Sequence, residues 1–186
     1  SGARLTHAQI DDCIGSFVQA TTSHPQITTL GIDVGKWCHY SMSTWYPNHS
    51  FSDISNQYQA KMIKFGKVLT FEELDQLMIQ FRVNFCVIDA NPERRKALEF
   101  ARRFPGRVAM CFYGRGVQGK TIHVGKDVEL TVDRTSWLDL ALGRVRNKTI
   151  AYPKDLNEEY KSHLKALVRI YERDVDGNPI GRYVKG

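Results

Sequence analysis

The sequence lacks three features that would define a protein class quickly: a CxxC pair, a phosphate-binding glycine loop and a long apolar run. Its only cysteines, Cys13, Cys38, Cys86 and Cys111, are widely spaced. We therefore expect buried free thiols in a reducing compartment rather than disulfides or a zinc site. No GxxxxGK[ST] segment occurs, which argues against a P-loop nucleotide site. No apolar run approaches the roughly 20 residues of a membrane helix, and no signal peptide is predicted.

The charge balance is moderately basic. The 186 residues include 26 Lys and Arg against 20 Asp and Glu, a net charge of +6. A polyanionic partner such as nucleic acid and a merely solubilising surface explain this balance equally well. The length predicts one domain over residues 1–186. Within it, residues 1–3 resemble an expression-tag remnant, and residues 5–26 are predicted to be a leading helix and linker.

Hydrophobic periodicity predicts strands first and helices later. After a helix over residues 5–20, three strands follow too closely for crossovers and should be antiparallel, whereas later strands separated by helices should be parallel. The prediction is an α/β mixed sheet, with its first three strands antiparallel, the next ones parallel, and helices on both faces. The predicted elements after residue 20 are strands 28–32, 36–46 and 57–68, helix 70–82, strand 84–91, helix 91–104, strand 106–114, a strand or edge hairpin in 120–135, helix 134–147, a connection 149–153 and helix 157–174.

Two predicted central strands each end in an aspartate, Asp33 in TLGIDVG and Asp89 in FCVIDAN. Ligands gather at the carboxyl ends of strands in open α/β sheets, so the two side chains are expected together. Adjacent carboxylates repel, and a divalent metal with oxygen ligands, Mg²⁺ or Mn²⁺, relieves that repulsion. Two such ions about 4 Å apart support phosphodiester hydrolysis. The alternative is that each aspartate caps a turn or a helix, most readily Asp89, which lies just before NPERR.

Several further side chains are weaker candidates. His39, six residues after Asp33, either faces the metals or is a partly exposed strand histidine. Asp133 and Arg134 begin a DRT turn, which either caps a helix or lies near the scissile phosphate. The basic residues are expected either to contact DNA phosphates or to lie on a solvated surface. The candidates for DNA binding are Arg94, Arg95, Arg115 and Lys120, with Arg102, Arg103 and Lys126 near them.

The order of these motifs resembles a known family. An hGIDhG strand, an antiparallel meander, a helix and an hhID strand are the layout of the ribonuclease H-like fold. The later stretch ELTVDRTSWLDLALGRVRNKTIAYP resembles the C-terminal nuclease domain of large terminase subunits of tailed bacteriophages, over about residues 27–186. The resemblance implies a metal-dependent DNA endonuclease that cuts concatemeric viral DNA during packaging. Asp33 and Asp89 would be the catalytic ligands of Mg²⁺ or Mn²⁺, with two ions expected.

The resemblance also implies partners and one further ligand. The partners would be double-stranded DNA, an N-terminal ATPase motor in the full protein, and small terminase and portal, in the host cell cytoplasm with no membrane. The family's third acid follows a GRYV-like strand, and nothing up to Gly186 matches it; Asp174 and Asp176 are poor substitutes because they lie in a turn sequence.

Three alternatives to the terminase assignment stay open. The first is another ribonuclease H-like nuclease, of the resolvase or transposase type. The second is a non-catalytic DNA- or protein-docking module with the same fold. The third, an actin-like ATPase fragment, shares the hGIDhG motif but is disfavoured because a second phosphate-binding glycine loop is missing.

Overall fold

A mixed β-sheet forms the centre of the protein in a computed structural model, which describes residues 4–47, 58–89, 91, 93–113, 122–124, 129–132, 141–173, 175–177 and 179–185. The described strands of the sheet lie in the order β6-β7-β5-β4-β1-β2-β3-β8. They are β1 (Thr28–Val34), β2 (Cys38–Pro47), β3 (Tyr58–Val68), β4 (Phe85–Asp89), β5 (Val108–Tyr113), β6 (Ile122–Val124), β7 (Glu129–Val132) and β8 (Ile150–Ala151).

Helices and a separate hairpin complete the described architecture. None of the described helices combines the length and the apolar character that a membrane crossing requires. The helices are α1 (His7–Asp11), α2 (Phe71–Gln80), α3 (Arg94–Arg103), α4 with helical residues 141–146, and α5 (Glu158–Ala166). The last two strands, β9 (Leu167–Arg173) and β10 (Pro179–Lys185), pair only with each other among the described residues.

Strand directions follow the lengths of the connections, as the sequence predicted. Strands β1, β2 and β3 are antiparallel neighbours joined by short connections. The pairs β1–β4, β4–β5 and β5–β7 are parallel, because a helix or a longer segment returns the chain to the same end of the sheet. Strand β6 pairs antiparallel with β7 at one edge, which confirms the predicted edge hairpin.

Each face of the sheet has its own apolar core, which confirms the prediction of helices on both faces. On one face, α2 and α3 cover β1 and β4; this core includes Ile32, Ile88 and Phe100. On the other face, α1, α4 and α5 cover β3 and β8, around residues such as Met62 and Tyr152. Helix α2 begins close to its predicted start, at a capping box in which the side chains of Thr70 and Glu73 each accept a hydrogen bond from the other's backbone N–H.

The predicted leading helix over residues 5–20 is wrong beyond α1. After Asp11 the chain extends and forms backbone hydrogen bonds with Tyr152, the residue that follows β8. Tyr152 N–H donates to the carbonyl of Cys13, and Gly15 N–H donates to the carbonyl of Tyr152, both at 2.8 Å. Since these bonds satisfy backbone groups that a longer helix would have paired internally, the extended form is stable. Cys13 in this segment belongs to the core on that face of the sheet.

Three other predicted boundaries also differ. The helix predicted over 157–174 ends at Ala166, because the apolar and aromatic segment Leu167–Arg173 pairs as a strand with β10. The predicted connection 149–153 contains β8, which pairs with β3. Helix α3 begins after Glu93, which makes no side-chain capping bond, rather than at residue 91 as predicted.

Candidate active site

Asp33 lies on the face of β1 that does not contact α2 and α3. Along this strand Leu30, Ile32 and Val34 are buried, whereas Gly31 and Asp33 are exposed. Successive side chains of a strand point to opposite faces, so the apolar residues fix the strand against the core and leave the carboxylate in solvent. The carboxylate at the end of an apolar strand thus avoids the cost of burial.

Asp89 lies beside Asp33 because β1 and β4 run parallel in matching register. Ile32 pairs with Ile88, so the next residue of each strand is an aspartate on the face opposite those isoleucines. Burial raises the pKa of Asp89, and the charge of Asp33 and a hydrogen bond between the two carboxyl groups raise it further. The backbone N–H of Asn91, which donates to Asp89 Oδ1 at 3.1 Å, opposes this rise. Two neighbouring carboxylates repel each other unless a proton or a cation lies between them.

The row of side chains continues from Asp89 to Cys111 on β5, its register partner. Burial, together with the charge of Asp89, raises the pKa of the Cys111 thiol to about 11. Without a bound metal ion, Cys111 is therefore a protonated thiol near neutral pH, and a protonated thiol is a poor nucleophile. All four cysteines are free and buried, as the sequence predicted.

On the other side of Asp33 the row continues through His39 on β2 to Lys67 on β3. The register pairs Asp33 with His39 and His39 with Lys67. Helix α5 packs over this part of the row: the rings of His39 and His163 lie 5.9 Å apart at an edge-to-face angle of 75°. His39 is thus the register partner of Asp33, and its half-buried ring contacts His163 of α5. A role of His39 toward metal ions stays a prediction.

The acid pair fits part of a site for a hard divalent cation. Its donors are carboxylate oxygens, which Mg²⁺ and Mn²⁺ prefer, and a cation would relieve the repulsion that raises the pKa of Asp89. Among the described residues, no group of three or more His, Cys, Asp or Glu side chains is placed to hold a metal. The capping alternative holds in part: Asp89 accepts the Asn91 N–H in a turn, but it does not cap α3.

Comparison with known proteins gives a structural match without a sequence match. No protein-family model matches the sequence, and no curated protein matches it either. The large terminase nuclease from thermophilic phage G20c superposes with a TM-score of 0.53 at 13% identity, over 95% of this chain and 87% of that one. The large terminase from a second thermophilic bacteriophage gives a TM-score of 0.49 at 12% identity, and the match covers 92% of this chain but only 38% of that one.

The chain has the fold of a phage large terminase nuclease. This likeness confirms the predicted ribonuclease H-like architecture, in which the antiparallel β1–β3 meander leads into the parallel strands. At 13% identity the likeness concerns the fold. Any role of Asp33 and Asp89 is therefore argued from their own geometry at the carboxyl ends of β1 and β4.

Of the predicted DNA-binding residues, Arg94 and Arg95 belong to α3. The guanidinium of Arg94 lies 3.5 Å from Glu129 and 5.2 Å from the centre of the Phe112 ring, so it links α3 to β5 and β7. Arg95 is exposed and pairs with Glu99 at 3.8 Å. Binding of DNA by these residues stays a prediction. The candidates Asp133, Arg134, Arg115 and Lys120, together with Lys126 and Asp174, lie outside the described residues.

A cleft of about 400 Å³ opens on the opposite face from the acid pair. The turn after β1, the start of α2 and one side of α3 line it, and its charged residues have both signs, for example Lys96 and Glu93. Neither Asp33 nor Asp89 contributes to it. We therefore place the candidate site at the acid pair, at the carboxyl ends of β1 and β4, rather than in this cleft.

The sequence did not predict that Lys67, His163 and Cys111 lie near the acid pair. Each lies far from Asp33 along the chain and reaches it only through strand pairing or through packing of α5. The alternation of β3 indicated which of its residues share a face, but the pairing register of β2 and β3 depends on a bulge between Met42 and Ser43. No local signal in the sequence identifies that bulge.

Proposed function

We propose that this chain is the nuclease domain of a phage DNA-packaging enzyme and cuts double-stranded DNA with the help of divalent metal ions. The observation that carries the proposal is the placement of Asp33 beside Asp89 at the carboxyl ends of paired strands. The terminase nuclease fold supports it, because the G20c protein with this fold is described as a nuclease. The net charge of +6 is compatible with a polyanionic substrate.

In this proposal, Asp33 and Asp89 hold Mg²⁺ or Mn²⁺, with two ions expected and at least one further oxygen ligand. When bound, such ions supply an activated water and stabilise charge on phosphate oxygens during phosphodiester hydrolysis. The protein's own contribution is rigidity: Ile32 and Ile88 are buried in the core next to the two acids, so the carboxylates keep a fixed separation.

The wider setting of the enzyme is also a proposal. The chain spans 38% of the second phage's large terminase that it matches. From the terminase resemblance of the sequence we infer an ATPase motor domain elsewhere in the full protein, and small terminase and portal as its partners. The cut would be made on concatemeric viral DNA in the host cell cytoplasm, where thiols such as Cys86 stay reduced.

A plasmid-nicking assay tests the proposal. Supercoiled plasmid is incubated with Mn²⁺ and with the wild-type chain, Asp33→Asn, Asp89→Asn or a matched control, Asp12→Asn. Asp12 is an exposed carboxylate that meets Lys148 at 3.8 Å, away from the acid pair. We expect nicking by the wild type and the control, and a loss of more than about 100-fold in both site variants, since even residues that only support metal ligands cost about 10–100-fold.

The same assay separates the rival functions. Absence of nicking by the wild type, or unchanged nicking by Asp33→Asn, would contradict the proposal and favour a docking module with this fold. A strong preference for a four-way DNA junction over a linear duplex of the same sequence would indicate an enzyme of the resolvase type. We expect a packaging nuclease to cut the junction and the linear duplex equally.

A further inference from the structure

The row of side chains that contains the acid pair ends in a lysine. Across the antiparallel strands, Asp33 pairs with His39 and His39 with Lys67, and paired residues share one face of a sheet. Neighbouring strands lie about 4.8 Å apart, so Lys67 is about 10 Å from Asp33 at the backbone. One strand of a DNA duplex carries a phosphate about every 3.4 Å of helix axis. A DNA strand that lay along this row would therefore place a phosphate beside Lys67 within a few nucleotides of the acid pair.

The contacts of Lys67 leave its ammonium accessible at this edge. Its Nζ lies 5.1 Å from the centre of the Trp37 ring, in the turn that directly follows β1, and 3.8 Å from Glu159 on α5. Both charged side chains are nearly half exposed, at 42% and 48%. An exposed ion pair of this length adds little to stability, so fold maintenance does not account well for the lysine.

We propose that Lys67 binds a DNA backbone phosphate close to the one that is cut, and that Glu159 restrains it until DNA arrives. The inference rests on the proposed nuclease function. Trp37 orients the ammonium over its ring, and a phosphate replaces the Glu159 carboxylate as the partner of the lysine. Because Lys67 contacts only the backbone, it adds affinity and positions the duplex without sequence preference.

The strand itself offers a matched control. Lys64 is three residues from Lys67 on β3, and its Nζ likewise lies over an aromatic ring, that of Phe81, at 5.7 Å. Its register partner is Met42, which belongs to the core on the α2 and α3 side of the sheet. Lys64→Gln therefore removes the same charge from the same strand, but on the face away from the acids.

The test is binding of a short labelled duplex without divalent metal, measured between about 50 mM and about 200 mM salt. One lost phosphate contact lowers the magnitude of the slope of log K against log salt by about 0.9. We expect this change for Lys67→Gln on every duplex sequence, a wild-type slope for Lys67→Arg and Lys64→Gln, and tighter binding for Glu159→Gln.

The opposite responses of Lys67→Gln and Glu159→Gln separate phosphate binding from a structural role. If the pair only anchors α5, both variants weaken binding equally and the salt slope stays at its wild-type value, which overturns the inference. A wild-type slope for Lys67→Gln also overturns it while the nuclease proposal stands. If the wild-type chain does not bind the duplex at all, both proposals are wrong.

Discussion

The two faces of β1 and β4 differ in polarity: one is apolar and buried, and the other carries two acidic side chains. On one face Ile32 and Ile88 are 5% and 0% exposed against α2 and α3; on the other, one residue further along each strand, Asp33 and Asp89 lie side by side. Alternation of side chains along a strand makes this possible. The apolar face stabilises the protein and holds the backbone of the two aspartates fixed. The acid face can therefore keep two repelling groups close together.

We expect the largest loss of stability from a substitution on the apolar face. Ile88→Ala removes a fully buried side chain from the core and should lower the free energy of unfolding by about 2–5 kcal/mol. Val87→Ala, the matched change on the acid face of the same strand, removes a partly buried side chain and should cost about 1 kcal/mol or less. Urea denaturation of both variants measures the difference, and equal losses would show that the two faces are not distinct.

Removing a charge from the acid face should raise the free energy of unfolding, by less than the loss expected for Ile88→Ala. Without divalent metal, Asp89→Asn removes a carboxyl group whose pKa is raised by burial and by Asp33. We expect a gain of less than about 1 kcal/mol near neutral pH, since the site is open to solvent. Thermal unfolding in a chelator measures it. A loss of stability in Asp89→Asn would contradict the view that the two acids repel.

The pH dependence follows from the direction of the pKa shift. Because the pKa of Asp89 is higher in the folded protein than in the unfolded chain, folding favours the protonated acid. That contribution to stability is fully present below the ordinary aspartate pKa and is lost as the pH rises through the raised folded value. The gain of Asp89→Asn over the wild type should therefore grow from acidic to neutral pH.

The sequence predicted the parts of this arrangement that depend on local patterns. Buried strands that end in Asp33 and Asp89 can be read from apolar runs, and the Thr70 capping box from residue spacing. Short connections implied the antiparallel β1–β3 meander, and intervening helices implied the parallel strands. Side-by-side placement of the acids follows from those strand directions, because parallel strands end at the same edge.

The parts that could not be predicted depend on long-range pairing. A helix over residues 157–174 was expected from an amphipathic pattern, but Leu167–Arg173 forms a strand because β10 offers it a partner. The leading helix stops at Asp11 because Tyr152, directly after β8, forms backbone hydrogen bonds with Cys13 and Gly15. Lys67 joins the acid row through a register that includes a bulge. In each case tertiary contacts override local propensity.

The most direct test of the account is a calorimetric titration of Mn²⁺ into the wild-type chain, Asp33→Asn and Asp89→Asn. The claim is that these two carboxylates together hold a divalent cation. We expect saturable binding by the wild type and a loss of binding in either single variant, because each variant removes one of the two negatively charged carboxylates. Equal Mn²⁺ affinity in the wild type and in both variants would contradict it.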